Sequence, residues 1–133
     1  MVLTIDVATE LPTIIFVSGW QYPQPHEKVT WMIKDGKISV DNKHNKENNI
    51  FSFYTGANYE DKHLKIFLNG KVVNETIAPS NRSIFVELKN LANGRNTIIL
   101  QTVESCKIPQ IAENKTDRRC LDIYVSNPLF NAG

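Results

Sequence analysis

The sequence predicts an all-β protein, an antiparallel two-sheet β-sandwich of jelly-roll or immunoglobulin-like type, folded as one domain over residues 1–133. Three observations lead there. Short apolar segments with a period of two recur along the chain, as strands with one buried face require. Turn-forming pairs such as Asn69-Gly70 and Asn93-Gly94 separate them. No segment combines helical length with a period of 3.6; residues 87–92 are too short and run into Asn-Gly.

The elements follow in order. Residues 3–7 alternate and predict a first strand at a sheet edge. Residues 13–18 (TIIFVS) are apolar, β-branched and too short for a stable helix. Residues 19–28 (GWQYPQPHEK) hold two prolines and predict a loop, since proline cannot donate to a ladder. Residues 29–33 predict a strand with Val29, Trp31 and Ile33 facing inward, followed by a turn at Asp35-Gly36 and a return strand with Ile38 and Val40 inward. Residues 41–49 (DNKHNKENN) predict a polar loop. Residues 50–55 predict a strand with Phe51 and Phe53 on one face.

The clearest hairpin joins residues 63–68 to 71–77 through Asn69-Gly70, a pair that tolerates the positive φ values of a type I′ turn, with Gly70 a structural residue. Strands follow at 83–88 and 96–103. The last strand has Leu121, Ile123 and Val125 inward, alternating with Asp122, Tyr124 and Ser126.

That strand is preceded by residues 106–120, a stretch too polar to stay ordered by itself. A Cys106–Cys120 disulfide would close it, contributing roughly 3 kcal/mol in the chain-entropy model; the alternative is two buried free thiols. Two cysteines with no nearby histidine are too few ligands for zinc, so no metal site or cofactor is predicted. Three N-x-S/T triplets, at Asn74, Asn81 and Asn114, are glycosylation candidates on exposed strand faces or loops, although chance triplets are expected with 14 asparagines. Bridge and triplets together favour an exported, extracytoplasmic domain.

A net charge of +1 gives no electrostatic case for nucleic acid or an anionic membrane. No run approaches the roughly 20 apolar residues that span a bilayer. The first residues lack the basic-then-apolar pattern of a signal peptide; the choice is between a cytosolic protein and an excised piece carrying an added Met, and the second is the expectation.

No phosphate loop or activated nucleophile is evident, and the three histidines (His26, His44, His63) fall in separate loops or strand ends. Glu113 and Asp117 make a conceivable carboxylate pair for glycoside chemistry, against the plainer reading of a solvated loop. No catalytic residue is assigned. Asp117, Arg118 and Arg119 are read as a clamp on the 106–120 loop, or alternatively, through Arg119, as recognition of a sugar hydroxyl, uronate or phosphate. Trp20 and Tyr22 are read as loop anchors or as platforms for stacking on a sugar face. Trp31 is read as core.

Several of these residues come in a familiar order: Gly19-Trp20, Trp31, Asn69-Gly70, Gly94 with Asn96, and Asp117-x-Arg119-x-Leu121-x-Ile123. The pattern resembles β-sandwich domains attached to prokaryotic, especially archaeal, membrane or surface-polysaccharide glycosyltransferases. Thr30 departs from it, since that family often has Arg before the Trp. The resemblance implies an extracytoplasmic accessory module excised from a larger envelope glycosyltransferase or related membrane protein, and it supplies no ligand; the leading expectation is a non-catalytic module that binds glycan or positions a membrane enzyme. Its site would use Trp20, Tyr22 and Arg119, with Trp31, Asp117 and Gly70 structural. The alternative is an adhesive module that contacts protein through a sheet edge.

Overall fold

A computed structural model describes residues 13–21, 28–43, 47–104 and 121–132. It contains β1 (Ile14–Gln21), β2 (Thr30–Asn42), β3 (Asn49–Ala57), β4 (Lys62–Leu68), β5 (Lys71–Ala78), β6 (Ile84–Lys89), β7 (Gly94–Thr102) and β8 (Ile123–Ala132). Every pairing is antiparallel.

The strand order is β5-β4-β7-β2-β8-β3-β6, with β1 on β2. The long strand β2 pairs with β7 from Gly36 to Asn42 but meets β8 only at Thr30 and Trp31. The ladder therefore divides into two layers, β5-β4-β7-β2-β1 and β8-β3-β6, hinged at the foot of β2. Their inner faces meet in one core that includes Met32, Ile38, Phe51, Phe53, Ile66, Ile98 and Ile123, all fully buried. Burying each such side chain stabilises the fold by about 1.5–3 kcal/mol.

The pairs β4·β5, β3·β6 and β2·β7 nest within one another like a hairpin rolled onto itself. An immunoglobulin sandwich groups its first, second, fourth and fifth strands in one sheet. Here the seventh strand is inserted between the second and the fourth, so the layer runs β5-β4-β7-β2-β1 and holds a strand that the immunoglobulin fold keeps in its other sheet. The sandwich is a jelly roll.

Turn chemistry explains the hairpin at its tip. Asn69 and Gly70 have φ values of 52° and 86°, the two left-handed positions of a type I′ turn. Asp35-Gly36 behaves differently. The expected turn is a bulge, and β2 runs through it. Between the pairs Ser18↔Lys37 and Trp20↔Met32, β2 advances five residues while β1 advances two. Asp35 takes a φ of 42° to absorb the excess. This bulge is where β2 leaves β8 for β7, the usual device by which a strand switches sheets.

The bulge rests on β1, which continues through Gly19, Trp20 and Gln21 where a loop was expected. Gly19 has φ 84°, and a Cβ there would sit 2.3 Å from the Lys34 carbonyl oxygen and 2.7 Å from that of Asp35. With β2 uninterrupted, the inward positions keep the parity of Ile38 and Val40. Met32 is therefore buried, and Trp31 and Ile33 turn outward, reversing the expected face of residues 29–33.

The polar loop after β2 is shorter than expected. Asn42 and Asn49 belong to strands and are buried. Asn49 accepts from the Leu91 amide at 2.8 Å and donates to the Leu91 carbonyl at 3.3 Å, tying the start of β3 to the loop after β6. Asp122, expected outside, is also buried: it lies just before β8 and its side chain turns toward Thr102 and Lys62. The expected first strand at residues 3–7 lies outside the described residues.

Candidate functional site

The outer face of the β8-β3-β6 layer carries the arrangement with the clearest functional meaning. Inward residues alternate with Tyr54 on β3, Phe85 on β6, and Tyr124, Ser126 and Leu129 on β8. Register then decides which of these meet. Trp31 pairs with Tyr124, and Tyr124 with Gly56. One step along, Ser126 pairs with Tyr54 and Tyr54 with Phe85. One further step places Leu129, Ser52 and Glu87 side by side.

The rings form two contact pairs. Trp31 and Tyr124 meet edge to face with centroids 5.2 Å apart, and Tyr54 and Phe85 are tilted at 5.0 Å. The Tyr124 ring leans from β8 across the backbone of Gly56, where an added Cβ would come within 2.5 Å of its hydroxyl. That hydroxyl then reaches the Ser83 hydroxyl at 2.6 Å. Glycine at position 56 thus lets an aromatic ring lie across the neighbouring strand, and Ser83 fixes its far end. Tyr54, Phe85 and Leu129 remain 40%, 51% and 59% exposed. Aromatic and aliphatic surface interleaved with the hydroxyls of Ser83 and Ser126 can stack on an apolar ligand face and bond to its polar edge.

A second polar cluster closes one end of the sandwich. Lys62 is fully buried at the start of β4, with its ammonium 3.6 Å from the Glu60 carboxylate and 3.7 Å from that of Asp122. The Thr102 hydroxyl donates to Asp122. Burial holds the Asp122 carboxyl above the ordinary aspartate value, and the Thr102 and Lys62 contacts partly oppose the shift. Nearby, the His63 amide donates to Glu104 at 2.8 Å and the ring Nδ1 lies 2.6 Å from the same carboxylate. The His63 side chain, foremost, lowers the Glu104 pKa from 4.5 to about 2. The cluster contains a paired cation and short carboxylate contacts, as a structural clasp would. Among the described residues no group of three or more His, Cys, Asp or Glu side chains is placed to hold a metal ion, and no helix is long and apolar enough to cross a membrane.

No protein-family model matches the sequence, and no curated protein matches it. Solved structures do share its architecture. The secreted serine protease VesC from Vibrio cholerae matches with a TM-score of 0.56 at 11% identity, over 97% of this chain and 26% of that one. A family two carbohydrate esterase from Clostridium thermocellum, solved with cellohexaose, matches with a TM-score of 0.52 at 11% identity, over 90% of this chain and 31% of that one. CBM35 from Paenibacillus barcinonensis matches with a TM-score of 0.46 at 10% identity, over 93% of this chain and 92% of that one. The chain spans less than a third of the length of the protease and the esterase. At such identities the likeness to those two is one of fold, and it agrees with the jelly-roll strand order.

Trp20 sits apart from the aromatic face. Its indole N–H donates to the Lys37 carbonyl at 3.0 Å, and its ring packs edge to face on Phe16 at 4.9 Å. A Cβ on Gly36 would fall 2.4 Å from the same ring. Trp20 therefore wedges β1 against the β2 bulge. Trp31, expected as core, is instead half-buried on the outer face beside Tyr124. Asn81 is exposed in the turn before β6, whereas Asn74 is partly buried on β5 and shares the face of Ile66, so it does not lie on an exposed strand face. Tyr22, Cys106, Asn114, Asp117, Arg119 and Cys120 lie outside the described residues. Sequence reasoning missed Tyr54, Phe85 and Tyr124 as a group. The available signal was that each alternates with a core residue and so must point outward.

Proposed function

We propose that this chain is a non-catalytic, extracytoplasmic accessory module that binds carbohydrate through the outer face of its β8-β3-β6 layer. The observation that carries this reading is the convergence of Trp31, Tyr124, Tyr54 and Phe85 on one face with serine hydroxyls between them. A sugar ring has an apolar C–H face and a polar rim, and this surface offers both complements at low conformational cost. The fold shared with an esterase solved with cellohexaose and with a secreted protease supports the reading. In this proposal Trp31 and Tyr124 take the stacking role first expected of Trp20, which serves the β2 corner.

The resemblance to glycosyltransferase-attached domains extends the proposal to a setting: the module works beside a larger envelope enzyme, with glycan as its ligand. A protein-contact module is the second reading. Edge strand β5 favours it, because the adjacent Val72 and Val73 are both exposed there.

The test is an amide NMR titration of the ¹⁵N-labelled chain with pooled oligosaccharides. Carbohydrate binding predicts shifts clustered on Tyr54, Phe85, Tyr124 and Ser126. A spectrum unmoved at millimolar glycan would transfer the reading to protein contact through β5.

A further inference from the structure

The aromatic face has a direction. Its rings occupy four adjacent strands in the order β2, β8, β3, β6, with one two-residue step along the strands between Tyr124 and Tyr54. Strand spacing and rise place Trp31 and Phe85 roughly 16 Å apart along a diagonal, a length for about three hexose rings. A site for one monosaccharide would need only one of the two ring pairs. Here both pairs are present, and the Tyr124 ring is carried over Gly56 toward the second.

The charge pattern along the stripe narrows the ligand further. Trp31, Tyr124, Ser126, Tyr54 and Phe85 are all uncharged. On the outward positions of β6, formal charge begins only beyond Phe85, at Glu87 and Lys89, which are of opposite sign. An anionic chain carries a carboxylate or sulfate on many of its units and would need cations along its length. Among the described residues the five side chains of the stripe supply none, and the exposed Arg82 beside Ser83 offers one cation at the Tyr124 row rather than a series. At its Phe85 end the layer stops at β6, which has no strand beyond it among the described residues. A chain lying on the rings can run past that edge into solvent.

On the carbohydrate reading above, we infer that the face takes an unbranched, uncharged oligosaccharide chain, laid diagonally from Trp31 to Phe85 and contacting about three units. The ligand is a linear neutral polysaccharide, bound along its length. Trp31 and Tyr124 hold one unit, Tyr54 the next and Phe85 the last before the edge.

Isothermal titration of the whole chain with linear glucan, mannan and xylan fragments of one to six units tests this, with oligogalacturonates as the charged counterpart. The expected result is affinity that rises at least tenfold between one and three units of the preferred series and then levels off. The galacturonates bind no more tightly. Phe85→Ala, an exposed position, lowers affinity for fragments of three or more units at least fivefold and so flattens the rise between one and three units. Equal affinity for monosaccharide and hexamer, or tighter binding of galacturonates, overturns the chain reading while leaving carbohydrate binding in place. Failure of every sugar to bind overturns both.

Discussion

Asn96 is fully buried on β7, opposite Val40, and its amide organises the loop that leads into that strand. Its Oδ1 accepts from the Ala92 amide and from Asn69 Nδ2, both at 2.9 Å. Its Nδ2 donates to the carbonyls of Ala92 at 2.9 Å, Gly94 at 3.0 Å and Val40 at 3.4 Å. Asn96→Ala deletes every one of these bonds and adds no replacement. Each net hydrogen bond contributes about 1 kcal/mol, and leaving a buried partner unsatisfied costs about 1–3 kcal/mol. Some of the loop groups regain water, so the expected loss is about 3 kcal/mol. For a chain of this size that lowers Tm by about 10 °C.

The assay is equilibrium urea unfolding followed by the fluorescence of Trp20 and Trp31, with Asn93→Ala in the same loop as the control. Asn93 is exposed, and its replacement is expected to change stability by less than about 0.5 kcal/mol. An Asn96→Ala variant as stable as the Asn93→Ala control would refute the idea that a buried amide latches this loop.

Two further predictions concern the corner and the clasp. Gly19→Ala brings a Cβ against two backbone carbonyls at positive φ and is expected to cost about 2–4 kcal/mol, whereas Gly70→Ala, with open space around it, costs only about 1–2 kcal/mol of left-handed strain. Equal losses in thermal unfolding would show that φ alone governs both sites. The Glu104 carboxyl, lowered from 4.5 to about 2, contributes stability that is present above pH 4.5 and lost as the pH falls toward 2. Asp122 acts in the opposite sense: its raised pKa makes the folded chain bind the proton more tightly, so its contribution falls as the pH climbs from 3.8. Wild type is therefore expected to lose more stability between pH 4.5 and pH 2.5 than Glu104→Gln, and parallel curves in acid unfolding would count against the His63–Glu104 clasp.

Much of the fold was legible because local signals agreed with it. Asn69-Gly70 formed the expected hairpin, the strands expected at 50–55, 83–88 and 96–103 correspond to β3, β6 and β7, and Phe51 and Phe53 share one buried face. Asp35-Gly36 carried the same kind of turn signal and misled, since pairing with β1 on one side and β7 on the other outweighs a local preference. Once that turn became a bulge, the face of residues 29–33 was set by Ile38 and Val40, and Met32 displaced Trp31 from the core.

Buried polar residues were the other blind spot. Asn42, Asn49, Asn96, Lys62 and Asp122 look like solvent-facing positions because their partners are far away in sequence. The same distance hid the aromatic face. Tyr54, Phe85 and Tyr124 come together only through the β3·β6 and β3·β8 registers, which no local pattern specifies. Trp20 drew attention because tryptophan beside prolines reads as an exposed platform, whereas Gly36 leaves room for it to pack inward.

The central claim is that Tyr54, Phe85 and Tyr124 form a glycan-binding surface, and the NMR titration run on wild type beside a Tyr54→Ala/Phe85→Ala double variant tests it most directly. Saturable shifts on β3, β6 and β8 are expected in wild type. The double variant is expected to keep a dispersed, folded spectrum and to lose those shifts. A double variant that binds as wild type does, or wild-type shifts confined to β1 and the β2 bulge, would contradict it.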